Sequence, residues 1–558
     1  MKLIFKGNYL VRMDPCLLQQ IDITIPAWRK YSRIPVLGGY KEVTTLTPII
    51  QEILGEQTSE GQLNSDSIFL KLKDFHGSGE CIIETISKDG VKKDSNSFCK
   101  VTHILDPILS LKGYYKHSVK GKNRVQEKMR NPMNKAYIDT LANYLLGQLR
   151  ERDVSPHFCL FYGGFKAIAE KYRFNINDEF NSFRRYREFW NKKRSGEFDL
   201  YIEREDNESI ESSLFKTPQS SMRSTAFSYT SSDSEFSESI SIANENISHS
   251  VELESVHSFE TRSSDTSNSD STDYSDSQST FDENVYSVYS EFKEYPVMLI
   301  FQEKMEGVLD DMLEDDTLVG AQQCSPDWEA RWIAWTFQII AALCAAQGVL
   351  GFTHNDLHTN NIVWAFTEEE WLFYRNRSGI IWRVPTYGRI FRIIDFGRSI
   401  FRIKQKWFIS DDYSYGGDAE GQFHFDCAKN GRKEEIYPNP SFDLCRYAVS
   451  VIDTLFPIMP VEKLDGKLLS KEDSWEIHET ESPLWNLLWS WLIDKEGRNV
   501  LKDECGDERF PDFDLYNHIT ENVEGVKPQE QLMNEIFSSF QIEEASLGNC
   551  VKVYSLFC

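Results

Sequence analysis

Three oxygen-bearing side chains stand in two short polar stretches, each beside an apolar run. The first is Thr353-His-Asn-Asp-Leu-His-Thr-Asn-Asn-Ile-Val-Trp, with Asp356 and Asn361 five residues apart in a polar loop between an apolar helix and an apolar strand. The second is Phe391-Arg-Ile-Ile-Asp-Phe-Gly-Arg, where Asp395 ends a run of β-branched and aromatic residues and precedes a glycine that lets the chain turn. Carboxylate and amide oxygens at the ends of neighbouring strands can converge on a hard divalent cation. A carboxylate near an acceptor hydroxyl completes what phosphoryl transfer from ATP asks of a protein.

His354-Asn-Asp-Leu-His-Thr-Asn-Asn361 resembles the protein-kinase catalytic loop H-R-D-L-x-x-x-N, and Asp395-Phe-Gly397 resembles the D-F-G of the same superfamily. The resemblance implies Asp356 as catalytic base, Asn361 and Asp395 as magnesium ligands, and His354 as the residue anchoring the loop. The run that starts at Ser441-Phe-Asp-Leu-Cys-Arg-Tyr looks like the helix after an activation segment. Its Asp443 would accept hydrogen bonds from the loop backbone; a helix-start carboxylate favoured by the dipole is the plainer account.

The same resemblance assigns Lys100, in Phe98-Cys-Lys-Val, to the α- and β-phosphates, and Asp139 on the following helix as its partner, with Glu127 as competitor. Gly77-Ser-Gly79 would be a reduced phosphate-covering loop, although an ordinary hairpin turn explains the glycines equally well. The backbone of Glu303 and Met305 would meet the adenine. Asn355 stands where the family has arginine, His358 where lysine is common, and no A-P-E follows Gly397, so the span Asp411–Gly421 must do something else. These departures are similar to those of divergent kinase-like proteins of large nucleocytoplasmic DNA viruses. ATP and Mg2+ follow as expected ligands, and a serine/threonine protein kinase as the expected activity. A small-molecule kinase of the aminoglycoside or choline type and a catalytically silent scaffold are the alternatives.

The elements that must position these residues are legible in outline. Strand-like runs start at Ser67, Glu80 and Ser97, with a turn at Asp89-Gly90. A helix is expected over Asn134–Arg152, then a strand from Phe158 ended by Gly163-Gly164. Val297–Phe301 reads as a buried strand, Trp328–Gly348 as a long apolar helix, and 370–384 as an inserted hairpin. The fold class is α+β: a bilobal kinase-like fold with a small β-rich N-lobe and a large, mainly helical C-lobe. The expected divisions are an N-terminal extension (1–66), the N-lobe (67–302), the C-lobe (303–545) and a tail (546–558). Residues 207–291, rich in serine and acid as in Ser231-Ser-Asp-Ser-Glu-Phe-Ser-Glu-Ser, are expected to be a disordered insertion.

Over 558 residues the formal charge is −26, which argues against nucleic acid or an anionic membrane surface as partner. A protein substrate is expected instead, the serine-rich segment itself being one candidate acceptor. The eleven cysteines show no C-x-x-C pair. The N-terminus lacks a signal-like apolar run, and no stretch reads as long and apolar enough for a membrane helix. The expected location is intracellular, in the cytoplasm or a virion.

Overall fold

The computed structural model describes residues 37–55, 61–63, 65–76, 79–115, 119–204, 209–210, 286–403, 406–414, 417–423, 438–472, 475–511, 513–547 and 552–557. Most of the serine-rich insertion, and Gly77, lie outside the described residues. The protein mixes helix and strand around a curled antiparallel sheet. Its strands are β1 (Tyr40–Thr44), β2 (Ser67–His76), β3 (Glu80–Ser87), β4 (Lys92–His103), β5 (Phe161–Asn175), β6 (Asp199–Arg204), β7 (Ser209–Ile210) and β8 (Tyr286–Glu303). The order across the sheet is β1-β5-β8-β4-β3-β2, with β6 pairing β8 and β7.

Side chains alternate across a strand, and this period sorts the sheet into two faces. Val297, Leu299 and Phe301 of β8 join Cys99 in one apolar cluster, within which the Phe69 and Phe301 rings lie 4.4 Å apart. Met298 and Ile300 turn to the opposite face and enter the main core. Lys100 is paired with Ile300 across β4 and β8, so it belongs to that second face.

Before β8 lie α1 (Pro48–Leu54), α2 (Val119–Arg130), α3 (Lys135–Glu151), α4 (Asn177–Phe183) and α5 (Arg187–Ser195), with a short further helix at Pro107–Lys112. Asn134 caps α3, accepting from the Ala136 amide, and almost every residue from Ala136 to Leu149 is buried. A helix enclosed on all sides needs apolar residues all round, and Tyr137, Ile138, Leu141, Tyr144, Leu145 and Leu149 supply them. The expected helix from Asn134 is therefore present within a residue at either end.

Three expectations about boundaries change. The strand starting near Phe158 does not stop at Gly163-Gly164; β5 runs through both glycines to Asn175. Gly164 is there for packing, since a Cβ on it would stand 2.5 Å from Thr140 Cγ2 of α3. Residues before 67 are also not separate from the sheet, because β1 pairs with β5. Likewise residues 286–291, assigned above to the insertion, begin β8.

The second part of the chain gathers around α6 (Pro326–Leu350), α7 (Phe442–Leu455), α8 (Pro483–Trp491) and α9 (Asp514–Asn522). It carries more strand than expected: β9 (Gly307–Val308), β10 (Ile362–Phe366), β11 (Trp371–Arg375), β12 (Ile381–Pro385) and β13 (Arg389–Ile393). β11 and β12 form the expected hairpin. By length and composition α6 could cross a membrane, which corrects the expectation that no stretch qualifies; 94% of its most apolar window is buried inside the protein. Its Trp328, Trp332 and Trp335 anchor the core.

We expect Gly164→Ala to lower stability by about 1–3 kcal/mol, the usual cost of overpacking. Adding Thr140→Ala should recover most of that loss, read as the shift in a urea unfolding midpoint for both variants.

Candidate active site

The loop around Asp356 is built downward from α6 and held from beneath by α7. Asp443, fully buried in the first turn of α7, accepts the His354 amide at 2.9 Å and the Asn355 amide at 2.8 Å. Burial pushes its carboxyl up, and these two amides with the His354 ring pull the other way. The Nε2 of His354 lies 2.8 Å from the Ile394 carbonyl, and its ring meets the Phe396 ring edge-on. One histidine thus joins the loop to the strand end that carries Asp395. Asn355 has φ 63°, a left-handed conformation that asparagine tolerates better than most side chains. Its amide nitrogen donates to Thr353 Oγ1 and to the Arg398 carbonyl.

β10 and β13 pair from Ile362↔Ile393 onward, and the Ile394 amide donates to the Asn361 carbonyl at 3.0 Å. Asn361 and Asp395 therefore leave adjacent strands at the same level. The Asn361 Nδ2 donates to the Asp356 carbonyl at 2.9 Å and sits 3.1 Å from His358 Nε2. Burial holds the His358 imidazole below its usual range. Among the described residues no hydrogen bond uses Asn361 Oδ1.

Lys100, Asp139 and Asp395 come together. The Lys100 Nζ lies 2.7 Å from Asp139 Oδ2 and 2.7 Å from Asp395 Oδ1. Burial alone would lower the lysine's pKa; the two carboxylates reverse this and raise it. Asp139 is fully buried, and its Oδ1 also accepts the Phe396 amide at 2.9 Å and Asn143 Nδ2 at 2.9 Å. Burial, with Asp395 nearby, pushes its carboxyl up despite Lys100. Asp395 goes the opposite way. Its side chain stays 44% exposed, and the Lys100 ammonium overrides the desolvation penalty to hold its carboxyl well below the usual range. Its φ of 64° is again left-handed.

Asp356 is engaged at both oxygens. Arg398 Nη1 lies 3.2 Å from Oδ2, and the Tyr516 hydroxyl of α9 donates to Oδ1 at 2.8 Å. Burial would raise this carboxyl, but Arg398, His358 and Arg446 bring it below the ordinary value. Arg398 in turn pairs with Asp412 at 3.0 Å, while Lys135 at the start of α3 pairs with Asp412 at 3.3 Å and Asp418 at 2.8 Å. Asp411 accepts the Lys135 amide at 2.9 Å and pairs with Lys128 at 2.8 Å. The span from Asp411, left without a role above, clamps the end of α3 to the Asp356 loop.

The remaining expected residues divide. Glu127 is exposed on α2, so Asp139 is the acid that meets Lys100. Gly79 (φ 92°) closes the β2–β3 hairpin onto β4: its carbonyl accepts the Cys99 amide at 2.7 Å, and a Cβ would stand 2.9 Å from both the Cys99 carbonyl and the Phe98 ring. The glycine serves this close approach. Glu303 turns inward, with Arg150 at 2.6 Å and Arg392 at 2.8 Å, and its amide donates to the Leu160 carbonyl at 2.9 Å. That amide is not free for a base as expected. Met305 makes no backbone hydrogen bond among the described residues, and its Sδ accepts from Arg392. Sequence reasoning missed Tyr516, Lys135 and Arg398, although Arg398 directly follows Phe396-Gly397.

Among the described residues no group of three or more His, Cys, Asp or Glu could hold a metal by itself. Magnesium asks for less, one or two carboxylates with substrate phosphates. Asp395 and the amide oxygen of Asn361 are donors of the right hardness. No protein-family model and no curated protein matches the chain.

Asp443→Asn can accept only one of the two buried amides and turns a donor toward the other. The expected cost is about 1–3 kcal/mol, read by denaturant unfolding. Asp395 has a folded pKa below its unfolded one, so its contribution to stability is present above the unfolded pKa and lost as pH falls. The difference in thermal midpoint between wild type and Asp395→Asn should be flat near neutrality and shift against the wild type only below about pH 4.

Proposed function

We propose that the chain is an ATP-dependent phosphotransferase with a bilobal protein-kinase-like fold, acting on a protein serine or threonine hydroxyl. The observation that carries this reading is the Lys100 ammonium, 2.7 Å from both Asp139 and Asp395 and contributed by an element remote in sequence from either. A cation and a part-exposed acid together, with Asn361 on the adjacent strand end, suit a polyphosphate and its counter-ion better than they suit a purely structural salt bridge. Asp395 keeps 44% of its side chain exposed, where a structural pair would be closed.

In this reading Asp395 and Asn361 hold magnesium, and bound magnesium supplies positive charge to the phosphate oxygens. Lys100 holds the α- and β-phosphates while tethered to α3 through Asp139. The Phe98 ring shares a strand face with Lys100 and offers an aromatic surface to a base. Asp356 receives the acceptor's proton as the acceptor oxygen takes the phosphoryl group and ADP departs. To do so it must release either Tyr516 or Arg398, the groups that now occupy its oxygens. Lys100 is the protein's own cation placed to neutralise the phosphates, and it would do so beside the metal that Asp395 and Asn361 would hold.

That double engagement of Asp356 also favours a second reading, a nucleotide-binding scaffold without turnover. Full-length protein with magnesium and radiolabelled ATP, offered a panel of proteins and small alcohols, decides between them. Transfer to protein supports the first reading; magnesium-dependent binding without transfer supports the second. Asp356→Asn should cut transfer by about 10²–10⁴-fold while retaining nucleotide binding. Asp395→Ala should lose both.

A further inference from the structure

Arg446 stands one helical turn beyond Asp443 on α7. Its Nε donates to the Tyr516 hydroxyl at 2.9 Å, and that hydroxyl donates to Asp356 at 2.8 Å. Tyr516 is held for this by rings on either side, Phe513 at 5.0 Å and Phe442 at 5.7 Å. The other cations around the site are spent on carboxylates: Lys100 on Asp139 and Asp395, Arg398 on Asp356 and Asp412, Lys135 on Asp412 and Asp418. Among the described residues no carboxylate pairs with Arg446. Among the described residues this half-buried guanidinium hydrogen-bonds only the Tyr516 phenol, whose ring centroid lies 5.2 Å from it, which is unusual in a chain of charge −26. Guanidinium is also the side chain best shaped to grip a carboxylate or phosphate through two parallel hydrogen bonds.

We propose that Arg446, steadied by Tyr516, is an anion subsite that selects acceptors carrying a carboxylate or phosphate next to the reacting hydroxyl. This rests on the phosphotransferase reading and names its substrate class: serine or threonine in an acidic context. Holding the anion at Arg446 sets the neighbouring hydroxyl beside Asp356. It also draws Arg446 from the Tyr516 hydroxyl and so loosens the bond that occupies Asp356 Oδ1. The chain carries this chemistry itself in Ser263-Ser-Asp-Thr-Ser-Asn-Ser-Asp, and other acidic proteins carry it too.

The test compares two serine peptides, one flanked by Asp and Glu and the other by Asn and Gln. It uses full-length wild type, Arg446→Gln and Arg446→Lys with magnesium-ATP. The wild type should prefer the acidic peptide by about tenfold or more in kcat/KM, the worth of one charge-assisted hydrogen bond. Arg446→Gln should erase the preference and Arg446→Lys keep part of it. Equal rates on both peptides in the wild type overturn the proposal. So does an equal loss on both peptides in Arg446→Gln, since that marks a residue which merely supports Tyr516. Absence of transfer to any protein or alcohol instead rejects the phosphotransferase reading beneath it. Phosphate mapped by mass spectrometry to residues 207–291, at a rate independent of protein concentration, identifies the chain's own segment as acceptor; label found only in added acidic protein identifies an external one.

Discussion

A carboxylate enclosed by protein must find its counter-charge there, and Asp139 finds it in Lys100. Leaving such an ion unpaired would cost several kcal/mol. The pair can form only when β4, which carries the lysine, lies against α3, which carries the acid. The same carboxylate accepts the Phe396 amide, so the chain after β13 is fastened at the same point. Sheet, helix and strand end are thus fixed together at one buried carboxylate, and Asp395 is held beside Lys100 with part of its side chain exposed.

Around this centre the charges alternate. Asp356, Arg398, Asp412, Lys135 and Asp418 form a chain of ion pairs from the His354 loop to the start of α3. Both signs of charge come from the protein's own side chains, so the clamp needs no added phosphate to form. Asn355 fits this arrangement. Where an arginine would require a counter-anion, asparagine uses its amide on neighbouring backbone and accepts the left-handed turn. The position is filled by a hydrogen-bonding residue because the charge is supplied by Arg398, three residues after Asp395.

Local pattern and long-range pairing were legible to different degrees. The apolar period of Tyr137, Leu141, Tyr144 and Leu149 located α3, because helical spacing is a property of neighbours in the chain. The two polar stretches bearing Asp356 and Asp395 were visible for the same reason. Gly163-Gly164 misled, since glycine commonly ends a strand. Its purpose here, room for Thr140 of a helix pressed against the sheet, is a fact about packing. The side-chain partners of Glu303 were not legible either, because only the folded chain brings Arg150 and Arg392 to its carboxylate.

Which groups are available is written in the chain: acids, an amide and a lysine at the ends of apolar runs, with the turns that expose them. Their types and local spacing follow from covalent neighbours and need no fold to be read. Which partners those groups meet follows from packing between distant segments. Packing chose Asp139 over Glu127 for Lys100, set Arg398 and Tyr516 on Asp356, and turned Arg446 to the Tyr516 hydroxyl. Such choices depend on which helix faces and strand faces share a core, and burial makes each choice costly to reverse.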